Sequence, residues 1–350
     1  MPRHVANALA RLAVLGSLWL ALGAASPAPA PTPQNAVDAV IAAFARVPVV
    51  AYGGSHDVED TRFAVSVVRD PRFGRTVRNV MVECANALYQ PMLDRYIAGE
   101  DVPLAQLQLV WRNTTQVYGP CDDPDHKELL DAVRDVNRGL PADRRVRVLA
   151  ADPPIDWDKV HTYAEFMRFS RRDEHMASVI ETQVFAKHQN AFVVLGGFHV
   201  FRRHSELVPG LLTVTERLEQ THPRSTYVFM SNATAPAALD GRFVAWSVPS
   251  AAVLRGTWLG TTDANEFDSD TRIRGKPVKP WTGLVIQDLA DAYVYNGPAS
   301  ARHEDAQPPE SDKAYIAELE RRWALIRRPR PVPASSGTPA TAPSTPPRER

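Results

Sequence analysis

Short apolar runs alternate with longer amphipathic stretches along most of the chain. The runs Val47 to Tyr52, Val77 to Val82, Val146 to Ala150, Phe192 to Leu195 and Thr226 to Met230 are dominated by Val, Leu, Met, Phe and Ala. Near-continuous runs of this kind suit strands buried on both faces. Between them, Val58 to Val68, Leu88 to Ile97, Lys127 to Val136 and Arg172 to Ala186 carry helical spacing. In the third, Leu129, Leu130, Val133 and Val136 form one stripe, and in the fourth Met176, Val179, Ile180 and Val184 do the same. Strand, helix, strand in repetition predicts an α/β fold: a mainly parallel central sheet with helices on both faces. Gly256 to Gly283 reads as an irregular excursion, and Leu284 to Gln287 and Ala292 to Tyr295 as closing strands. Ser311 to Ile326 reads as a late amphipathic helix docking through Tyr315, Leu319 and Trp323. There is no internal repeat of solenoid type.

Both ends depart from this alternation. Residues 1–25 have the three parts of a secretory signal: basic Arg3 and Arg11, an apolar run from Ala13 to Leu22, and small residues at Gly23-Ala24-Ala25. The apolar run is too short to span a bilayer comfortably, so no stable membrane anchor is expected after cleavage. The expected location is the periplasm or the exterior. Residues 26–34 read as a Pro-rich linker and 35–328 as a single α/β domain. Residues 329–350, rich in Pro, Ser, Thr and Ala, bury too little to offset chain entropy and read as a disordered tail.

Composition narrows the function. Lys plus Arg and Asp plus Glu are equal at 40 each, a formal net charge of +0. That balance gives no support for a nucleic-acid partner or a polybasic membrane patch. The two cysteines, Cys84 and Cys121, exclude a disulfide-stapled scaffold and argue against a zinc site of cysteine type. An oxidising compartment would permit a disulfide between them.

In open α/β sheets, ligands bind beyond the carboxyl ends of the strands, so the polar residues there carry the chemical signal. The first strand runs into Gly53-Gly54-Ser55-His56-Asp57, the second into Glu83, the third into Asp152, and the fourth into Gly196-Gly197-Phe198-His199. Two of these ends share the pattern Gly-x-x-His, in which glycine is expected to allow a sharp turn. One histidine after a strand is most often structural. Two at matching ends, with a Glu and an Asp at two others, point to one crevice. A neutral imidazole can take a proton from water near neutral pH. Two imidazoles and a carboxylate, His56, Glu83 and His199, could instead hold a metal with a position left open. Arg172, opening a helix, suits an oxyanion or an anionic group. Asp57, Trp111 and Asp152 are candidate substrate-binding residues.

These segments resemble a known superfamily that includes the erythromycin-esterase-like proteins, the Tiki and TraB group and the ChaN-like haem-binding proteins. The resemblance rests on Tyr52 to Asp57, Val80 to Glu83, Trp111 with Lys127 to Asn137, Val146 to Asp152, Arg172 to Ala177 and Val194 to Val200. For an esterase-like member it implies roles for His56, Glu83, Arg172 and His199. For a Tiki-like member it implies a metal on His56, His199 and Glu83, and for a ChaN-like member a haem near His56-Asp57. One departure stands out: Gly53-Gly54-Ser55 lacks the Glu usual beside the first glycine.

The leading expectation is an exported hydrolase of an ester or amide bond in a small-molecule or peptide substrate. His56 activates water, Glu83 orients it, and Arg172 with His199 stabilises the oxyanion. The competing expectation is a non-catalytic protein binding haem or a divalent metal.

Overall fold

The computed structural model describes residues 28–55, 57–117, 121, 125–207, 210–232, 235–267, 272–273, 276–301 and 312–327. The signal segment, the Pro-rich tail and His56 therefore lie outside the described residues.

Among the described residues, ten strands form: β1 (Gln34–Asn35), β2 (Val49–Gly54), β3 (Asn79–Asn86), β4 (Arg147–Asp152), β5 (Ala191–Gly196), β6 (Thr226–Ser231), β7 (Ser250–Val253), β8 (Arg272–Ile273), β9 (Lys276–Pro277) and β10 (Ala292–Tyr295). Strands β8 and β9 pair only with each other. The other eight make one sheet in the order β1-β7-β10-β6-β2-β5-β3-β4. From β10 to β4 every pair is parallel, and β7 and β1 close the far edge antiparallel. The fold is α/β with a mostly parallel mixed sheet, as the run pattern predicts.

Alternation along each strand sorts side chains into two cores. Val50, Tyr52, Val80, Val148 and Phe192 face one side. There they meet Phe63, Val67 and Val68 of α2 (Val58–Arg69), Leu93 and Ile97 of α3 (Gln90–Ala98), and Leu129, Leu130 and Val133 of α4 (Asp125–Arg138), with α1 (Ala36–Ala43) on the same side. Val49, Ala51, Met81, Leu149 and Val193 face the other side. They meet Met176 and Ile180 of α5 (Arg172–Gln183) and Val214 and Leu218 of α7 (Val214–Thr221), while the single turn α6 (Gly197–Val200) follows β5. With helices on both faces, period-two polarity is lost and the strands read as continuous apolar runs.

The edge strand β4 is covered by a side chain. Gln90 donates to the Val148 carbonyl and accepts from the Ala150 N–H, each at 2.8 Å, as a neighbouring strand would. The late helix α8 (Lys313–Ile326) docks, but chiefly through charge. Arg322, 3% exposed, donates to the Arg112 carbonyl at 2.7 Å and to Asn113 Oδ1 at 2.6 Å, and Arg112 pairs with Asp312 at 2.6 Å. Trp323 adds apolar contact to the patch of Val117, Ile155, Trp157 and Val160.

One sequence expectation about the strands needs correction. Leu284 to Gln287 is not a strand: Ile286–Leu289 forms a helical turn, held because Asp288 accepts the Val285 N–H at 3.0 Å. The closing strand is Ser250–Val253, only four residues long and short for a periodicity signal. Among the described residues, no helix is long and apolar enough to cross a membrane.

Candidate functional site

The carboxyl ends of β2, β3, β5 and β6 enclose a cleft of about 330 Å³, walled by Ser55, Glu83, Gln116, Arg172, Phe198 and His199 among others. Its floor is glycine. A Cβ on Gly53 would meet Val200 Cγ2 at 2.6 Å, and one on Gly197 would meet the Phe201 ring at 2.5 Å. Neither has a positive φ; among the described residues, the glycines that do are Gly99, Gly210, Gly256, Gly283 and Gly297. The two Gly-x-x-His ends thus use glycine for close packing of α6 and the following Phe201 against the end of β2, rather than for the sharp turn expected from sequence.

Glu83 lies at the centre and is 2% exposed. Regular pairing of β3 with β5 stops at Val82 opposite Val194, and β3 shifts register against β4 between Val82 and Asn86. In this irregular stretch Glu83 Oε2 accepts the Gly196 N–H at 2.6 Å, so a side chain replaces the missing strand partner. Its Oε1 accepts from Arg172 Nη2 at 2.7 Å and from Gln116 Nε2 at 2.5 Å.

Arg172 uses all three of its nitrogens here. Nη2 reaches Glu83, Nε donates to Asp152 Oδ1 at 3.1 Å, and Nη1 stands 3.0 Å from His199 Nε2. Asp152, fully buried, also accepts from the Thr115 backbone at 2.6 Å and its hydroxyl at 2.5 Å. Burial raises the Asp152 carboxyl to about 6, and the charge of Arg172 and the Thr115 hydrogen bonds offset only part of that.

His199 is held from both sides. Nδ1 lies 3.0 Å from Asp173 Oδ1, and Nε2 lies 3.3 Å from Glu83 Oε1. Burial pulls its pKa down, but the charge of Glu83 and the hydrogen bonds to Asp173 and Glu83 outweigh it and lift the imidazole to about 9. Neutral His199, with its proton on Nδ1, can accept from Arg172. Protonated His199 cannot, and then donates from Nε2 towards Glu83. The ionic balance favours the second form near neutral pH, since Glu83 and Asp152 supply two buried negative charges against Arg172 alone.

The structure brings four of the predicted residues together: Glu83, Arg172, His199 and Asp152. Asp57 does not join them. It caps α2, accepting the Asp60 N–H at 2.8 Å, and is 7% exposed. Trp111 does not line the cleft either. It is 4% exposed and walls a separate internal cavity of about 40 Å³, because its turn packs against β3 from the opposite core. Sequence reasoning missed Gln116, Thr115 and Asp173. Asp173 adjoins Arg172 and could have been read from it; Gln116 and Thr115 sit in a connection with no local signal. It also missed a buried network beside the cleft. There Asp60 accepts from Tyr52 Oη and Ser231 Oγ at 2.5 Å each, from Asn296 Nδ2 at 3.2 Å, and from the Ser55 N–H at 2.7 Å.

The described donors do not fit a divalent cation on Glu83 and His199. The Arg172 guanidinium lies within 3.0 Å of both, and a second positive charge there would be repelled. His199 is equally unsuited to an axial haem position, with Asp173 on one ring nitrogen and Arg172 at the other.

No known family matches the chain, and no curated protein does. Solved structures do. A succinoglycan biosynthesis protein is 9% identical over 75% of this chain and 90% of its own, with a TM-score of 0.53. A protein from Bacillus cereus is 11% identical over 75% and 91%, with a TM-score of 0.48. A mutant of erythromycin esterase EreC in its open conformation is 11% identical over 77% and 94%, with a TM-score of 0.49. At these identities the likeness is one of fold.

Proposed function

We propose that this chain is a hydrolase of an ester or amide bond, in which Arg172 and His199 receive the oxyanion. The observation that carries this reading is the 3.0 Å between Arg172 Nη1 and His199 Nε2 at the wall of the cleft. When His199 is protonated, both atoms are N–H donors at the cleft wall; Nε2 then has Glu83 Oε1 at 3.3 Å, so an incoming oxyanion competes with Glu83 for its proton. A negatively charged oxygen between them satisfies both, and preorganised donors of this kind are the largest contribution in many acyl-transfer sites. Glu83 and Asp152 fix the guanidinium plane, and Asp173 fixes the imidazole.

The base in this reading is His56, the neighbour in sequence of Ser55, which lines the cleft. It takes a proton from water as the water oxygen bonds to the carbonyl carbon. The carbonyl electron pair moves onto the oxygen facing Arg172 and His199. Collapse breaks the bond to the leaving group, which collects the proton from His56. The substrate is a small molecule or peptide. Export belongs to the same proposal, supported by the Cys84–Cys121 disulfide, which suits an oxidising compartment.

The test is a panel of activated esters and amides, assayed with the wild type, His56→Ala and His199→Gln. Turnover in the wild type that falls by about a hundredfold or more in each variant, the usual size of such a contribution, supports the reading. Turnover unchanged in both folded variants, or absent across the panel, overturns it.

A further inference from the structure

On the far side of Glu83 from the cleft, Cys84 and Cys121 are joined as a disulfide with their Cα atoms 5.1 Å apart. His126, in the first turn of α4, lies beside them, and one donor atom from each of the three residues falls within 4.8 Å of the others. Two cysteines alone argue against a zinc site. The fold supplies the third ligand, five residues after Cys121 in sequence.

We propose that, once the disulfide is reduced, Cys84, Cys121 and His126 bind one soft divalent cation of the Zn²⁺ class. Four features support this. Two thiolates and an imidazole are a donor set that selects zinc over the hard cations magnesium and calcium. In a tetrahedral site with Zn–S of about 2.3 Å and Zn–N of about 2.0–2.1 Å, neighbouring donors stand roughly 3.5–3.8 Å apart, so the two sulfurs must separate once their bond is broken, while the imidazole already lies within 4.8 Å of them. Both cysteines are buried, at 7% and 2% exposed, and so are shielded from competing water. The adjoining cavity of about 40 Å³, walled by Cys84, His126, Glu83 and Thr61, has room for a water as fourth ligand.

The chemistry balances. An external dithiol breaks the S–S bond, leaves as its cyclic disulfide, and delivers two hydrogens to the protein sulfurs. The cation then displaces one proton from each thiol as two metal–sulfur bonds form, and His126 adds through a neutral ring nitrogen. The chain thus has two alternative cross-links at this wall, one covalent and one through metal. This proposal stands apart from the hydrolase reading.

The full chain, reduced with a phosphine and freed of excess reductant, is titrated with Co²⁺, then with Zn²⁺ against a chromophoric chelator. Circular dichroism of the same samples reports the fold. The expected result is one equivalent of Co²⁺ with a thiolate-to-cobalt charge-transfer band, displaced by Zn²⁺, in the reduced chain only. Oxidised chain shows no band, Cys121→Ser loses it, and His126→Ala weakens Zn²⁺ binding at least tenfold. A reduced, folded chain without the band, or His126→Ala binding as tightly as wild type, overturns the proposal. So does loss of the fold on reduction that Zn²⁺ does not restore, because no assembled site then exists.

Discussion

Arg172 and Glu83, 89 residues apart in sequence, meet through Nη2 and Oε1 at 2.7 Å, with the carboxylate 2% exposed. The same guanidinium holds Asp152 through Nε, so one cation serves two buried acids. Removing it would leave Asp152 without a cation and Glu83 with His199 alone. Arg172→Met should therefore cost about 3–5 kcal/mol, the scale for breaking a buried ion pair. Arg172→Lys should keep most of the stability but lose much of the turnover, because an ammonium cannot bridge Glu83, Asp152 and an oxyanion at once. Urea unfolding and kcat, measured on the same preparations, separate the two effects.

His199 makes folding depend on pH. Its folded pKa of about 9 lies above the ordinary value of about 6.5. The folded state thus holds the proton more tightly than the unfolded chain. The stabilisation is fully present below pH 6.5 or so and is lost as pH rises to about 9. NMR titration of the imidazole should show the raised midpoint, and Glu83→Gln should lower it. In His199→Gln, the fall in stability across that window should flatten.

Asp57 gives the opposite lesson about a predicted site residue. Burial, with Asp60 nearby, raises its carboxyl to about 7. Ionising it in the fold is costly, so its contribution to stability declines as pH rises from about 4 to about 7. Asn also caps helices well. Asp57→Asn should therefore gain stability over wild type as pH rises through this window, with the larger gain at pH 8 than at pH 4. Asp57→Ala forfeits the cap and should lose about 1 kcal/mol relative to Asn. Melting temperatures at the two pH values check both.

The glycine floor should resist any side chain. Gly53→Ala and Gly197→Ala each force a methyl into contact at 2.6 or 2.5 Å, against Val200 or Phe201. Overpacking of this kind costs about 1–3 kcal/mol. Gly99→Ala, where nothing lies within reach of the new Cβ, meets only the strain of its positive φ. Denaturation midpoints that leave Gly53→Ala and Gly197→Ala at wild-type stability would show that α6 shifts freely off β2.

Tyr52→Phe tests the buried network. The phenol donates to Asp60 at 2.5 Å and accepts from Asn296 at 2.7 Å. Its loss leaves a buried carboxylate one donor short, which should cost about 1–3 kcal/mol in urea unfolding.

The sequence by itself determined the architecture and the acids and bases at the strand ends. Continuous apolar runs between amphipathic stretches can be buried only in a sheet covered on both faces, and that rule places Glu83, Asp152 and His199 at one end of parallel strands. Arg172 was legible as a charge at a helix start, though not its partners. What the tertiary structure alone decided was how the side chains point and pair. Asp57 and Trp111 had the right neighbours in sequence, yet one turns to cap α2 and the other packs into the core. Gln116 and Thr115 come from an irregular connection with no period to read. Cys84, Cys121 and His126 form a cluster only because β3, a loop and α4 converge. Periodicity reports which face of an element is buried. It does not report which distant element supplies the partner, because that depends on chain crossovers and on packing that no local window contains.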